Sequence, residues 1–493
     1  MFSRLNACPR VLPMLRNAMM LAFLVLIPLL AQAQEKENGT KYNVLFLMCD
    51  DLNVDLGCYG HPIVKSPNID QLAKESVTFD HAYCQYPLCS PSRTSMLTGK
   101  RPDETRVYDL QLHFRKVLPD VVTLPQYFMG KGYTVSRIGK LYHYGVPGQI
   151  GTDGLDDPTS WQSKFNPIGR DKTDESQVFS FEPGKYGGTL SWLAADGDDS
   201  EQTDGIAAAY ACDWLEKHRN EPFFLGCGFY RPHTPFVSPK KYFEMYPKEE
   251  LVLPKVPEGH DSRVPKFAVA NRKKYEADLT DEDRLNVLQA YYASISFADA
   301  QIGIVLNKLK ELGLWDKTIV VLTSDHGYHM GEHHLWQKMS VFEKSARVPL
   351  LIHHPAFAKN QHAENSIVEL LDLYPTLVDG CGYELPAGLS GTSLVPALRD
   401  QTKTAKNYAI TRVNRGNNAQ GFSLRTPQYR YTEWRTREGI ERELYDHSRD
   451  HDEYVNLANE PTQKGVMEAL SLQMNSILQR QTIPPETLKK PKG

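Results

Sequence analysis

Unbroken apolar runs recur along the chain, and each gives way to charged or hydroxyl-bearing residues. Residues 43–49 (NVLFLMC), 223–229 (FFLGCGF) and 318–323 (TIVVLT) have this form, and 133–138 (YTVSRI) is a more polar version of it. Such runs predict short strands buried on both faces, as in a parallel sheet. Between them the apolar spacing changes to three and four. Ile69, Leu72, Ala73 and Val77 share a helical face behind the start at Ser66-Pro67-Asn68. Further helices are expected near 124–129 and over 202–217, with a long one within 281–312, where Leu285, Leu288, Tyr292, Ile295, Ala298, Ile302, Val305 and Leu309 form one core-facing stripe. Strands alternating with helices predict an α/β fold built on a doubly wound sheet with helices on both faces.

Two regions break the alternation. Residues 144–204 are dense in Gly, Asp, Ser and Pro without a sustained period, which predicts a lid or a substrate-facing insertion. From about residue 407 the chain turns to short aromatic and charged strands at 408–413, 421–424, 430–434 and 443–446, then a helix over 466–478. This predicts a small antiparallel sheet with one helix, docked on the main domain. The expected division is a catalytic domain over 34–405 and a C-terminal subdomain over 406–493, with 489–493 a frayed tail.

The segments that leave the predicted strands are chemically rich. Asp50 and Asp51 follow the first, Lys140 and His143 the second, His233 the third, and Asp325 and His326 the fourth. Ligands of open α/β sheets gather at the carboxyl ends of the strands, so these groups are expected to converge. His233 lies between Pro232 and Pro235, on a stiff loop. His326, His329, His333 and His334 crowd together and raise the question of zinc, but HExxH is absent. Asp50, Asp51 and Asp325 make an oxygen-rich set that favours calcium, with magnesium next. His329, His333 and His334 are then expected to be polar loop or substrate-facing groups, and the polar stretch 101–109 holds groups that could touch a charged sugar.

One more stretch, 88–101 (LCSPSRTSMLTGKR), places a thiol before a helix start. Pro91 fits a first helical turn, so Cys89 would lie at the positive end of the helix with Arg93 one turn on. A nucleophile placed there faces an oxyanion. The order C-x-P-x-R followed by L-T-G-[KR] resembles the defining element of the type I sulfatases, in which the cysteine is oxidised after translation to formylglycine. From about residue 43 to 398 the chain resembles the iduronate-2-sulfatase type within that family. The match runs through G-C-Y-G at 57–60, S-P-N-I-D-Q-L-A from Ser66, R-P-D-x-T-R-x-Y-D from Arg101, Lys140 with a histidine at +3, S-D-H-G from Ser324, and Gly331-Glu332-His333 with Trp336 and Lys338.

That resemblance implies an alkaline-phosphatase-like form of the doubly wound sheet and hydrolysis of sulfuric esters on a sulfated polysaccharide or its oligosaccharides. It implies that Asp50, Asp51, Asp325, His326 and the modified Cys89 bind Ca²⁺. Arg93 and Lys140 would hold the sulfate and the formylglycine hydrate. His233 and Lys338 would face the bridging ester oxygen, with His233 the general acid because imidazole titrates nearest neutral pH. His143 would assist the collapse that expels sulfate. A formylglycine-generating enzyme is the implied maturation partner. Tyr328, His329 and Met339 depart from the iduronate pattern near the expected sugar subsite, so a uronate 2-sulfate is the first candidate and sulfated algal glycans the second. Two other readings are a phosphodiesterase or phosphonate hydrolase of the same superfamily, and a non-catalytic sulfated-glycan-binding protein with Cys89 unmodified; the intact set of site residues argues against the latter.

Composition and charge narrow the setting. With 493 residues, 41% of them apolar and 24% charged, the chain suits one large domain with a smaller one. Residues 1–33 carry Arg4, Arg10 and Arg16 without an acid, then the apolar run 19–30, then Ala31-Gln32-Ala33, the pattern of a cleaved secretory signal. No membrane span is expected after cleavage, and the location is periplasmic or secreted. Removing the three arginines takes the net charge from −4 to −7, which excludes a general polyanion binder and argues against nucleic acid. Seven cysteines then remain, an odd number; with Cys89 modified, the other six could form up to three bridges, although Cys49 and Cys227 look like buried strand thiols.

Overall fold

Every residue of the strand Asn43–Cys49 is buried, and its alternation serves two cores at once. Leu45, Leu47 and Cys49 pack on one face of the sheet, and Val44, Phe46 and Met48 on the other. This is a computed structural model describing residues 42–479 apart from 358, 360, 365 and 405. The expected signal peptide and the tail at 489–493 lie outside the described residues.

The central sheet has eight strands in the order Gln361–His362, Val77–Thr78, Leu350–His353, Thr318–Ser324, Asn43–Cys49, Phe223–Phe229, Thr134–Gly139 and Ser163–Phe165. Thr318–Ser324, Asn43–Cys49, Phe223–Phe229 and Thr134–Gly139 run parallel, with Cys49 in register with Ser324 and Phe229, and Gly139 with Gly228. Their carboxyl ends therefore lie side by side. The sheet is mixed, because Leu350–His353 pairs antiparallel with Thr318–Ser324. The long helix Asp281–Glu311 opens on a Thr280 cap, whose hydroxyl accepts from the Asp283 N–H at 3.1 Å, and its apolar stripe covers one face together with helix Thr203–Lys217. Helices Leu124–Gly130 and Leu373–Gly380 contribute to the core on the other.

Several local expectations change. The helix that begins at Pro67 stops at Ala73, and Val77 belongs to a strand, because its apolar side chain joins the opposite core. The insertion 144–204 is not irregular throughout: Ser163–Phe165 adds the outer strand of the sheet, and Phe179–Ser180 and Ser191–Ala195 join Phe236–Pro239 in a small sheet of their own. The seven described cysteines are all free thiols, so none of the possible bridges forms among the described residues. Arg101 is buried on Glu369 through two bonds of 2.7 and 2.6 Å, which removes it as a sugar contact.

The C-terminal strands Ala409–Arg415, Ala419–Arg425, Tyr429–Thr436 and Ile440–Asp446 form an antiparallel meander, and helix Lys464–Gln479 packs on it through Leu470, Met474 and Ile477. Its docking on the main domain is ionic as well as apolar. Buried Glu369 bonds Arg101, Lys406 Nζ (2.6 Å) and the Ile410 N–H (2.9 Å). Glu343 meets Arg430 in the same way.

His354, just past the end of strand Leu350–His353, gives a local test of this packing. Its ring stacks on Phe357 at 3.8 Å between centroids, Nδ1 accepts from the Ala356 N–H at 3.1 Å, and Nε2 faces the Gly380 carbonyl at 3.0 Å. Burial pushes its pKa down to about 4. The unfolded chain, with an ordinary value of about 6.5, binds this proton more readily, so the contribution to stability is complete above that pH and is lost as pH falls toward the folded value. His354→Gln should therefore flatten the dependence of the urea midpoint on pH between about 6.5 and about 4. Parallel wild-type and variant profiles through that window would contradict the assignment.

Candidate active site

The parallel strand ends and the start of helix Cys89–Thr98 deliver their side chains to one buried cluster. Arg93 is its centre. The guanidinium Nη2 bonds Asp50 Oδ1 at 2.8 Å, Nε bonds Asp325 Oδ2 at 2.8 Å, and Nη1 bonds the Lys140 carbonyl at 2.5 Å. Lys140 Nζ takes the other oxygen of Asp50 at 2.6 Å. Lys338 Nζ bonds both oxygens of Asp51 at 2.6 and 2.9 Å and lies 3.3 Å from Cys89 Sγ. His326 Nε2 stands 3.4 Å from the same sulfur, and His233 Nε2 is 3.7 Å from Asp51 Oδ2. His143, also buried, faces Cys89. All ten residues that the sequence singles out are thus brought together.

Local backbone explains the placement. Gly139 has φ +67 and leaves the strand where a Cβ would meet the Gly228 carbonyl oxygen at 2.1 Å, so the turn that aims Lys140 needs glycine. Asp51 adopts φ 66 without being glycine, a strained conformation held by its N–H donating to Asp325 Oδ1 (3.2 Å) and its carbonyl accepting from the Tyr291 hydroxyl (2.8 Å). His326 Nδ1 faces the Gly327 carbonyl at 3.0 Å, which turns Nε2 toward the cluster.

The charges are strongly coupled. Burial opposes the Cys89 thiolate, but Lys140, Lys338 and His326 outweigh it and hold the thiol well below its ordinary range. Burial likewise opposes the charged forms of His326 and Asp50, yet the carboxylates, Asp325 foremost, lift His326 to about 9, and Lys140 leads the groups that hold Asp50 low. Asp325 goes the other way, to about 6, because burial exceeds the pull of Arg93. Burial also lowers His143, which favours a neutral base beside position 89.

Asp51, Cys89, Asp325 and His326 each offer one ligand atom, and these atoms lie within 4.8 Å of one another; Asp50, Cys89 and His233 form an overlapping group. A metal ion fits this donor set. The remaining histidines of the region do not belong to it. His329 is buried with Nε2 on Ser340 Oγ at 2.7 Å, and His333 stacks on Phe342 at 3.8 Å and meets His260 at 2.9 Å, so neither faces a substrate. His334 is exposed and lines a neighbouring cavity instead.

Two supporting groups escape a reading of the sequence. Tyr291 holds the Asp51 backbone from within the long helix, where it reads as core. Arg415 reaches from the C-terminal sheet to the Met339 carbonyl at 2.6 Å and steadies the loop that carries Lys338. Both act through contacts between distant segments, and no local pattern marks them.

An anion-holding cluster with a nucleophile-bearing helix start, at the carboxyl edge of a doubly wound sheet, defines a hydrolase for anionic esters. The chain belongs to the sulfatase family: residues 42–383 match that family, and residues 331–480 match the C-terminal part of the N-sulphoglucosamine sulphohydrolases. It is a sulfuric ester hydrolase that resembles iduronate-2-sulfatase. To the iduronate 2-sulfatase of Mus musculus it is 34% identical over 402 residues, 73% of this chain and 72% of that protein. To an ulvan-active sulfatase of Formosa agariphila it is 29% identical over 468 residues, 90% of this chain and 82% of that one. Among solved structures, a phosphonate monoester hydrolase from Silicibacter pomeroyi shares the fold with a TM-score of 0.76 at 22% identity, covering 91% of this chain and 97% of the other.

In protein carrying Cys89 as the thiol, the cations beside it should be measurable. The thiolate absorbance contributed by Cys89, taken as the difference from Cys89→Ser, should titrate well below the ordinary value of about 8.5, and Lys338→Met should move the midpoint upward. A midpoint that ignores Lys338 would show that the lysine does not set the field at this position.

Proposed function

We propose that the enzyme removes sulfate from a sulfated polysaccharide or its oligosaccharides, with a uronate 2-sulfate of heparan or dermatan type the first candidate and a sulfated algal glycan the second. The names of the murine and Formosa relatives support the two in that order of identity. The single observation that carries the reading is that Cys89 Sγ lies 3.3 Å from Lys338 Nζ and 3.4 Å from His326 Nε2, within the buried cluster that holds Arg93, Lys140 and three aspartates.

Cys89, in C-x-P-x-R, is read as the substrate of a formylglycine-generating enzyme, and Asp50, Asp51, Asp325, His326 and the modified residue 89 as the ligands of Ca²⁺. Carboxylate oxygens dominate that set, which suits a hard cation better than zinc. Once formed, the hydrated aldehyde would supply a hydroxyl nucleophile and a route to expel sulfate by elimination, and a bound calcium ion would supply positive charge against the sulfate oxygens. The other steps belong to side chains already placed. Arg93 and Lys140, which pair with the aspartates, are read as the groups that hold the sulfate and the formylglycine hydrate. Lys338 meets negative charge on the bridging ester oxygen as the bond to sulfur breaks. His233 Nδ1 is engaged with the Thr234 carbonyl at 2.5 Å, so Nε2, directed at Asp51, is the nitrogen that gives a proton to the leaving alcohol. His143, kept neutral by burial beside position 89, would be the base that accepts a proton there as sulfate is expelled.

The catalytic domain is assigned to 34–405 and the C-terminal subdomain to 406–493, the latter contributing Arg415 to the rim of the site. Export through the leader at 1–33 to the periplasm or exterior fits a polymeric substrate. No helix among the described residues is long and apolar enough to cross a membrane.

Mass spectrometry of the peptide carrying Cys89, from a host that performs the modification, should show the aldehyde in place of the thiol, and Cys89→Ala should lower kcat by on the order of 10³ or more. An unmodified thiol together with full activity in Cys89→Ala would sink the mechanism. Chelation should abolish turnover, with calcium restoring it better than zinc. His233→Ala should slow hydrolysis of an alkyl sulfate by ~10²–10⁴ but that of 4-nitrophenyl sulfate far less, since a phenolate needs little protonation to leave; equal losses on both esters would remove the proton-donor role. Preference for a phosphonate monoester over an aryl sulfate would overturn the choice of reaction.

A further inference from the structure

Behind the loop that carries Lys338 lies a cavity of about 1000 Å³, at the upper end of the range for small-ligand sites. Pro254 and Trp336 supply apolar wall, and Lys255, Lys273 and Lys274 stand at its exposed side. The other cations of the lining are committed: Arg272 is paired with Asp261 at 2.6 Å and Arg284 with Asp281 at 2.9 Å. The three lysines have no ion-pair partner among the described residues. In a molecule of net charge −4 this is a local surplus of positive charge. The wall also holds Glu276, only 6% exposed, whose one carboxylate oxygen accepts from the Lys273 N–H at 3.0 Å while Oε1 is buried with no partner. A buried acceptor of that kind calls for a donor from outside the chain, and a sugar hydroxyl is such a donor.

The cavity and the catalytic cluster draw on the same loop, through Trp336 and Lys338. Trp336 and Lys338 are two residues apart, which limits their Cα separation to about 7 Å. Gln337, between them, donates to the hydroxyl of Tyr275 at 3.2 Å, next to Glu276. A ligand in the cavity is therefore within reach of the same polymer whose ester lies at Cys89.

We propose that this cavity is a second glycan subsite, which binds an anionic sugar residue further along the chain than the one being desulfated. Lys273 and Lys274 meet its sulfate or carboxylate, the orphaned oxygen of Glu276 accepts from a ring hydroxyl, and Trp336 with Pro254 forms the apolar floor. The inference rests on the reading of the substrate as a sulfated glycan, and it adds that chain length is recognised as well as the ester.

The test compares wild type with Lys273→Ala/Lys274→Ala and with Glu276→Gln, in the full chain, on 4-nitrophenyl sulfate and on a heparin-derived tetrasaccharide ending in a 2-sulfated uronate. The double variant should lose about tenfold in kcat/KM on the tetrasaccharide, through KM, with a shallower salt dependence, and change less than about twofold on the aryl ester. Glu276→Gln should lose less and leave the salt dependence unchanged. Equal effects on both substrates, or none on either, would overturn the subsite. If wild type leaves the tetrasaccharide intact while cleaving the aryl ester, the substrate reading fails for that glycan, and calorimetric titration of the tetrasaccharide into the Cys89→Ser protein decides the subsite separately. Weaker binding in the double variant supports it, and binding that is absent or unchanged refutes it.

Discussion

Arg93 is completely buried, and its guanidinium is divided between Asp50, Asp325 and the Lys140 carbonyl. A charge in that position costs several kcal/mol to desolvate, and the cost is offset only when its partners stand at hydrogen-bonding distance. Those partners leave three different strands, so the ion network demands that Asn43–Cys49, Thr134–Gly139 and Thr318–Ser324 end at matched levels. The parallel register supplies this. Moving one strand by a single residue would turn its apolar side chains to the wrong core and its terminal carboxylate or lysine away from Arg93 together.

The same constraint accounts for the second layer of support. Lys338 comes from a loop, not a strand, and a loop would let its ammonium wander. Arg415 holds the next carbonyl, Asn271 Nδ2 donates to the carbonyl of Lys338 itself at 2.6 Å, and Gln337 reaches Tyr275. The C-terminal sheet is thus more than an appendage: through Arg415 near the site, and through Glu369 and Glu343 at the interface, it fixes a rim that the central sheet alone does not define.

Much of this was legible from single segments. Apolar runs marked the strands, the residues just beyond them marked the site, and Pro91 and Arg93 placed Cys89 at a helix start. The failures share a cause. Arg101, His329 and His333 are polar residues in polar-looking stretches, and such stretches read as solvated or substrate-facing until a distant partner appears. Glu369 comes from far along the chain to bury Arg101, while Ser340 and Phe342 enclose His329 and His333. Val77 failed for a related reason: its spacing suits a helix face, but pairing with Ile352 claims it for the sheet.

What the sequence determined by itself was therefore local and periodic: the elements, their order, the chemical identity of the groups at the strand ends, and the C-x-P-x-R stretch around Cys89. Tertiary structure decided which of those groups share one cluster, which cations are spent on buried carboxylates, and which, as at Lys273 and Lys274, remain free. The physical reason is that burial and charge pairing are set by segments far apart in the chain. The neighbours of a side chain in sequence fix its direction along an element, whereas the low-dielectric surroundings that give Arg93, Cys89 and His326 their charge states exist only once the strands have come together.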